Sequence, residues 1–234
     1  MAVFRLIKTV FVALVALLLL YQMGLFVLVL WYGTFNPSST SVMQHTLREL
    51  RSNDPDAELV HEWVPYDQIS THLKKAVIAS EDANFVLHSG VEWDDILRAW
   101  EYNREQAAAG KNAIRGGSTI TQQLAKNLFL SNSRSYLRKG QELIITYMIE
   151  LTMDKRRILE LYLNIAQWGE SVFGAQAAAR HYFQRTADAL GPSQAARLAT
   201  MLPRPAFYDR HRNSGYLRSR SATIQQRMRL VEIP

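Results

Sequence analysis

The sequence predicts a mainly α protein: a single transmembrane helix at the N-terminus, followed by one helical globular domain. Three observations carry that prediction. Thr9 to Tyr32 is an uncharged run dominated by Leu, Val, Ala, Phe and Tyr. Beyond about residue 66, apolar residues recur at three- and four-residue spacing, as on the buried face of a helix. Strand signals, meaning period-two alternation bounded by turn formers, are few.

The chain has 234 residues, room for one anchor and one domain of ordinary size. Its hydrophobic content of 48% supports a folded core rather than disorder. There is no cysteine, which excludes disulfides, zinc–thiolate sites and thiol catalysis. The net charge of +6 favours an anionic partner: nucleic acid, a membrane surface or a phosphate-bearing substrate. Charge alone does not choose among them.

The N-terminus does. At about 1.5 Å per residue, the uncharged run spans a hydrocarbon layer of roughly 30 Å. Gln22 is its only strongly polar side chain. Arg5 and Lys8 precede it without a nearby acid, so residues 1–8 are expected in the cytoplasm and the rest of the chain outside it. Trp31 and Tyr32 suit the aromatic belt at the far interface. A cleaved signal peptide would have an apolar core of about 7–15 residues and a small-residue cleavage site. This run is longer and no convincing A-x-A pattern follows it, so an uncleaved anchor over 9–32 is expected.

Residues 33–56 read as a connector, with turn formers at Asn36-Pro37-Ser38-Ser39-Thr40 and Asn53-Asp54-Pro55. Residues 57–234 form the domain. Leu73, Ala76, Val77 and Ser80 mark a helix over 71–82, and Ile120, Leu124 and Leu128 mark another. Leu143, Ile144, Met148 and Leu151 mark a third, and Ile158, Leu161 and Tyr162 a fourth. The alanine-rich stretches 173–183 and 193–202 are also read as helices, the second ended by Pro203 and Pro205. Residues 106–141 hold Lys111, Arg115, Lys126, Arg134, Arg138 and Lys139 but no acid. A stretch of one sign this long suits either an anion site or a surface resting on anionic headgroups.

Several chemistries lack their equipment. Gly110-Lys111 has no leading glycine for a phosphate-binding loop, and His61-Glu62 has no second His for a zinc site. Residues 169–174 miss the nucleophile-elbow spacing by one residue, and the S-x-x-K and K-T-G patterns are absent. Carboxylates and cations remain. Glu81 and Asp82 end an apolar helix, where a negative charge opposes the helix dipole; a solvated acidic turn is the bland alternative. Gly116-Gly117-Ser118-Thr119-Ile120-Thr121-Gln122-Gln123 reads as a turn entering a helix, with Thr119 and Gln122 in capping-box spacing. Free N–H groups at that helix start would also suit a phosphate. Glu142 is one turn from Arg138, which allows an ion pair, and it lines up with Ile145 and Ile149, which suggests partial burial.

In this order, Glu81-Asp82-x-x-Phe85-x-x-His88-x-Gly90, Gly116-x-Ser118-Thr119-Ile120-Thr121-Gln122-Gln123, Arg138-Lys139-x-x-Glu142 and Lys155-x-x-Ile158-Leu159-Glu160-x-Tyr162-Leu163-Asn164 resemble the motif series of the peptidoglycan glycosyltransferase family. The resemblance covers roughly residues 65 to 205. Only Val91, where a larger apolar residue is expected, departs nearby. The length and lone anchor resemble the monofunctional branch rather than bifunctional penicillin-binding proteins.

The resemblance implies a lysozyme-like, mainly α fold with a smaller apolar jaw dipping towards the membrane. It implies an inverting transfer that polymerises lipid II into β-1,4-linked glycan with release of undecaprenyl pyrophosphate. Glu81 then matches the general base, and Glu142 a second carboxylate that organises cations or a metal. Lys126 and Arg134 match contacts to the donor pyrophosphate, with Arg98 a further candidate on that side. Ser118, Thr119, Gln122 and Gln123 match the loop shaping the cleft, and Asp82, Phe85 and His88 match supporting positions. Arg138 and Lys139 are candidate phosphate contacts, with ion pairing and membrane contact open for both. A divalent cation, Mg²⁺ or Mn²⁺, is allowed, although no dedicated protein cage for a metal is legible; no nucleotide is needed. The implied partners are lipid II, lipid-linked glycan and the membrane, with cell-wall transpeptidases or divisome proteins as candidates and no nucleic acid. The implied place is the bacterial inner membrane, single-pass, with the catalytic domain on the periplasmic side. Two rivals stay open: a lytic enzyme, which would not need Lys126 and Arg134, and a non-catalytic scaffold, which would be expected to lose Glu81 or Glu142.

Overall fold

A computed structural model describes residues 1–110, 116–131 and 135–234. Helix α1, Ala2–Thr34, carries the uncharged run. Residues 1–21 are exposed throughout, and only Leu25 and Val29 of this helix are buried. Among the described residues it is the one helix long and apolar enough to cross a membrane. Its last turns lie against α6, Tyr136–Thr152. Arg157 of α7, Lys155–Ile165, closes its end by donating to Tyr32 O, Phe35 O and Asn36 Oδ1. Carbonyls in a last helical turn lack intrahelical partners, and a cation there also suits the dipole.

The stretch read as a connector holds a helix, α2, Ser41–Arg51. Thr40 caps it by accepting from Met43 N, and Val42, Met43 and Thr46 are buried on the side that meets α5, Ile120–Phe129. The turn formers at 36–40 and 53–55 mark the ends of this helix.

The domain core lies between two groups of helices. In one, α3 (Thr71–Glu81) packs on α9 (Pro192–Met201), and α11 (Gly215–Arg227) packs on both. In the other, α5 packs on α6 and α7. Leu73, Ala76, Val77, Ile120, Leu124 and Leu128 are buried, as their spacing predicts. Helix α6 differs. Its buried stripe is Glu142, Ile145, Thr146 and Ile149, while Ile144 and Leu151 face outward. The helix is apolar on more than one face, and periodicity alone does not say which face meets the core.

Helix α4, Trp93–Ala108, buries only Ala99 and exposes Trp93, Leu97 and Trp100. The remaining helices are α8, Ala175–Phe183, and α10, Pro205–Arg210. Two short strands pair in parallel, β1 (Val60–His61) with β2 (Val172–Phe173). Phe173 therefore ends a strand rather than starting a helix, because the chain turns at Gly174. That residue has φ of 83°, and a Cβ there would lie 2.6 Å from Asn164 O. Buried Asn164 fastens the incoming chain to α7 through hydrogen bonds with Val64 N and Val64 O.

Candidate active site

Glu81 is the last residue of α3, and the helix stops there because Asp82 leaves the helical region, with φ of −163° and ψ of 76°. The Glu81 carboxylate accepts hydrogen bonds from Ser80 Oγ at 3.0 Å and Gln123 Nε2 at 3.0 Å. Gln123 is fixed in turn by the buried Tyr162 hydroxyl, which donates to its Oε1 at 2.8 Å. Burial pushes the Glu81 carboxyl above its ordinary range, with Asp82 pushing the same way. The bonds from Gln123 and Ser80, with Arg220 nearby, only partly offset this.

Asp82 builds the floor beside it. Its Oδ2 accepts from Ile120 N at 2.9 Å, and its Oδ1 accepts from His88 Nε2 at 2.8 Å. His88 Nδ1 accepts from Gly90 N at 3.0 Å, so the ring carries its proton on Nε2. Phe85 is fully buried, meets His88 edge-on and has Lys155 Nζ 4.7 Å above its ring. Thr119 and Gln122 form the reciprocal capping box that their spacing predicts, and Thr119 Oγ1 also donates to Gly90 O. With Thr119 N, Ile120 N and Gln122 N all bound to protein acceptors, the start of α5 is not the open phosphate site its sequence suggested. Gln122 lies buried beneath the loop.

The cations gather around Glu142, which is 3% exposed. Arg138 Nη1 donates to its Oε2 at 2.5 Å, and Lys139 Nζ binds both Glu142 Oε1 and Ser118 Oγ. Lys126 has no ion pair among the described residues, and burial lowers its pKa. Glu142 and Glu81 pull that value up, while Arg138 and Lys139 push it down, so these groups share one field. Arg98 is elsewhere in character: it sits exposed on α4, bound to Asp95 at 2.6 Å. Arg134, Lys111 and Arg115 lie outside the described residues.

A cleft of about 740 Å³ runs over Glu81, lined also by Asp82, Ser118, Gln123, Asp95 and Tyr102. A second hollow of about 270 Å³ is lined by Lys126, Asn127, Tyr162 and again Gln123. Gln123 is thus common to the wall of the base and the wall of the cation. The far wall of the larger cleft comes from α11, through Tyr216, Arg220 and Arg227. Sequence reasoning missed these three. Their four- and seven-residue spacing on one helical face was the available signal.

Among the described residues, Asp82, His88 and Glu92 have ligand atoms within 4.8 Å of one another. As they stand they lack a nitrogen ligand, because His88 Nε2 donates to Asp82 and His88 Nδ1 accepts from Gly90 N.

Comparison with known proteins adds a family. A profile described as Transglycosylase matches residues 45–229. A biosynthetic peptidoglycan transglycosylase of Bordetella pertussis (strain Tohama I) is 63% identical over 231 residues, covering 99% of this chain and 96% of the relative. Its namesake in Bordetella avium is 60% identical over 225 residues, covering 96% and 94%. One from Janthinobacterium sp. (strain Marseille) is 54% identical over 220 residues, covering 94% of each.

Proposed function

The chain belongs to the transglycosylase family, and from that premise we propose that it is a peptidoglycan glycosyltransferase that polymerises lipid II. One observation carries the reading. Glu81, a carboxylate with a raised pKa, and Lys126 line two hollows that meet at Gln123, and Lys139 reaches the cleft of Glu81 through Ser118. Joining two lipid-linked sugars needs these two things: a base for the attacking hydroxyl and positive charge for a departing pyrophosphate.

In this reading the acceptor's 4-hydroxyl gives its proton to Glu81 Oε as its oxygen bonds to C1 of the donor. The C1–O bond to the pyrophosphate breaks on the opposite side, so the anomeric centre inverts. The electron pair leaves with the pyrophosphate, whose growing charge Lys126, Arg138 and Lys139 stabilise. Gln123 holds Glu81 in line. Glu142 gathers Arg138 and Lys139 and tempers the repulsion between cations. No step requires a nucleotide. A divalent cation, if bound to the pyrophosphate, would add charge to the same cluster. Helix α1 anchors the enzyme in the inner membrane, with the catalytic domain on the periplasmic side where the lipid-linked substrate waits.

The test is polymerisation of fluorescent lipid II by the full chain in detergent, beside Glu81→Gln. Glycan chains from the wild type and none from a folded Glu81→Gln protein support the reaction and the base. Chains from both would remove Glu81 from its role. No chains from either, with a divalent cation present and a known polymerase active in parallel, would overturn the reading.

A further inference from the structure

Gln22 was the one strongly polar side chain in the uncharged run, and the proposed reaction gives it nothing to do. The fold does. Gln22 Nε2 donates to Gln141 Oε1 at 2.7 Å, and Gln141 Nε2 donates to Gln22 Oε1 at 3.0 Å. Eleven residues further along α1, Gly33 lies against Met153, the residue that follows the last turn of α6, twelve beyond Gln141. The two helices therefore run side by side in the same direction over this length. Leu25 and Val29, the buried residues of α1, fall between the two contacts.

The position in depth follows from length. Residues 1–21 are exposed throughout and suffice to cross the hydrocarbon, which takes about 20 residues, so Gln22, the first partly buried residue of α1, lies at the outer edge of the span. Its partner Gln141 is held at the same level. An unpaired primary amide half-buried between two helices at that edge is costly, whereas two amides that saturate each other are not. The buried residues of α1, Leu25 and Val29, are apolar, and such a surface permits sliding, since one apolar ridge fits a groove much as the next does. A single polar pair removes that freedom by making one register distinct.

Gln141 immediately precedes Glu142, and Arg138 and Lys139 lie within one turn of it. We propose that the reciprocal Gln22–Gln141 hydrogen bond sets the register of α1 against α6, and so fixes the bilayer depth at which the Glu142 cation cluster meets its lipid-linked substrate. Gln22 is a positioning residue for the reaction. The inference rests on the reading of α1 as a bilayer span and of the cleft as a glycosyltransferase site. Arg157 of α7, on Tyr32 O and Phe35 O, holds the far end of α1.

The experiment uses the full chain in phospholipid vesicles. Because the chain lacks cysteine, Leu137→Cys, at a position 89% exposed near the start of α6, takes a single environment-sensitive dye. Its depth is read by quenching with lipids spin-labelled at different acyl positions. Gln22→Leu, Gln141→Leu and the double variant are compared. If the pair sets register, the dye depth shifts or broadens by up to a helical turn, about 5.4 Å. In vesicles KM for lipid II rises roughly three- to tenfold with kcat held. The double variant regains thermal stability, since no amide is left unpaired, but not the depth or KM of the wild type. Unchanged depth in all three variants overturns the proposal. So does recovery of depth and KM in the double variant, because pairing would then matter only for stability. If the unsubstituted chain makes no polymer, the glycosyltransferase reading fails, and the quenching depths still decide whether the register is set.

Discussion

Two glutamates stand at the two walls of the site and are treated in opposite ways. Glu81 has neutral donors, Ser80 and Gln123, and burial that disfavours its charge. Glu142 is more deeply enclosed, yet it is gripped by two cations. An anion that must take up a proton is best left short of positive charge, because each nearby cation would lower its affinity for that proton. An anion that must keep cations in place is best surrounded by them. In the proposed reaction the same side chain thus serves as base at one place and as electrostatic strut at the other.

Substitution should separate the two. Glu81→Gln is expected to lower polymerisation by at least about 10²-fold, the scale of general base catalysis, without lowering Tm at neutral pH. The sign follows from the raised pKa. Ionised Glu81 costs stability at pH above that raised value, and the cost disappears as pH falls towards the ordinary carboxylate range. Calorimetry of the two proteins across pH should therefore show the variant's advantage shrinking on acidification. Lys126→Ala should lose a similar factor in polymerisation, about 10²-fold, by removing charge from the leaving group. Because burial already lowers the pKa of Lys126, its charge costs stability, and Tm should hardly fall. Equal losses of Tm and activity would remove it from the pyrophosphate role.

Glu142→Gln should lose both. Two cations would be left facing each other, at about 2–3 kcal/mol after discounting for their exposure. That corresponds to a Tm decrease of roughly 4–12 °C by thermal melting. An unchanged Tm would erase the contrast between the two walls. Gln123→Leu is a smaller perturbation. It removes a donor that favours the ionised form of Glu81, so the acid limb of the pH–rate profile should move to higher pH. A profile that does not move would detach Gln123 from the base. Smallest of all, Arg98→Ala should leave Tm unchanged, since its pair with Asp95 is exposed. A large loss of activity there would return Arg98 to the substrate.

Much of the site was legible because much of it is local. Thr119 and Gln122 are three residues apart, as are Lys139 and Glu142, and Arg138 reaches Glu142 across one turn. The backbone of a helix fixes such distances, so spacing in the sequence is spacing in space. The placement of Glu81 at a helix end was legible for the same reason. Its surroundings were not. Gln123 lies 42 residues from it and Tyr162 lies 39 from Gln123. Arg220 and Arg227 reach the cleft only through the packing of α11 on α3 and α9.

The sequence by itself determined the kinds of element and their caps: a membrane-length helix, a helical domain, and carboxylates set among cations. Only the tertiary structure decided which face of α6 is buried and that the start of α5 is occupied by Asp82 rather than open to phosphate. It also decided that Gln22 has a partner on α6. The reason is the range of the forces involved. Periodicity, capping and i,i+4 pairing act within a turn or two and leave a repeating trace along the chain. The choice among equally apolar faces, and the pairing of distant polar groups, is made when helices pack, by which arrangement leaves the fewest polar groups buried without a partner.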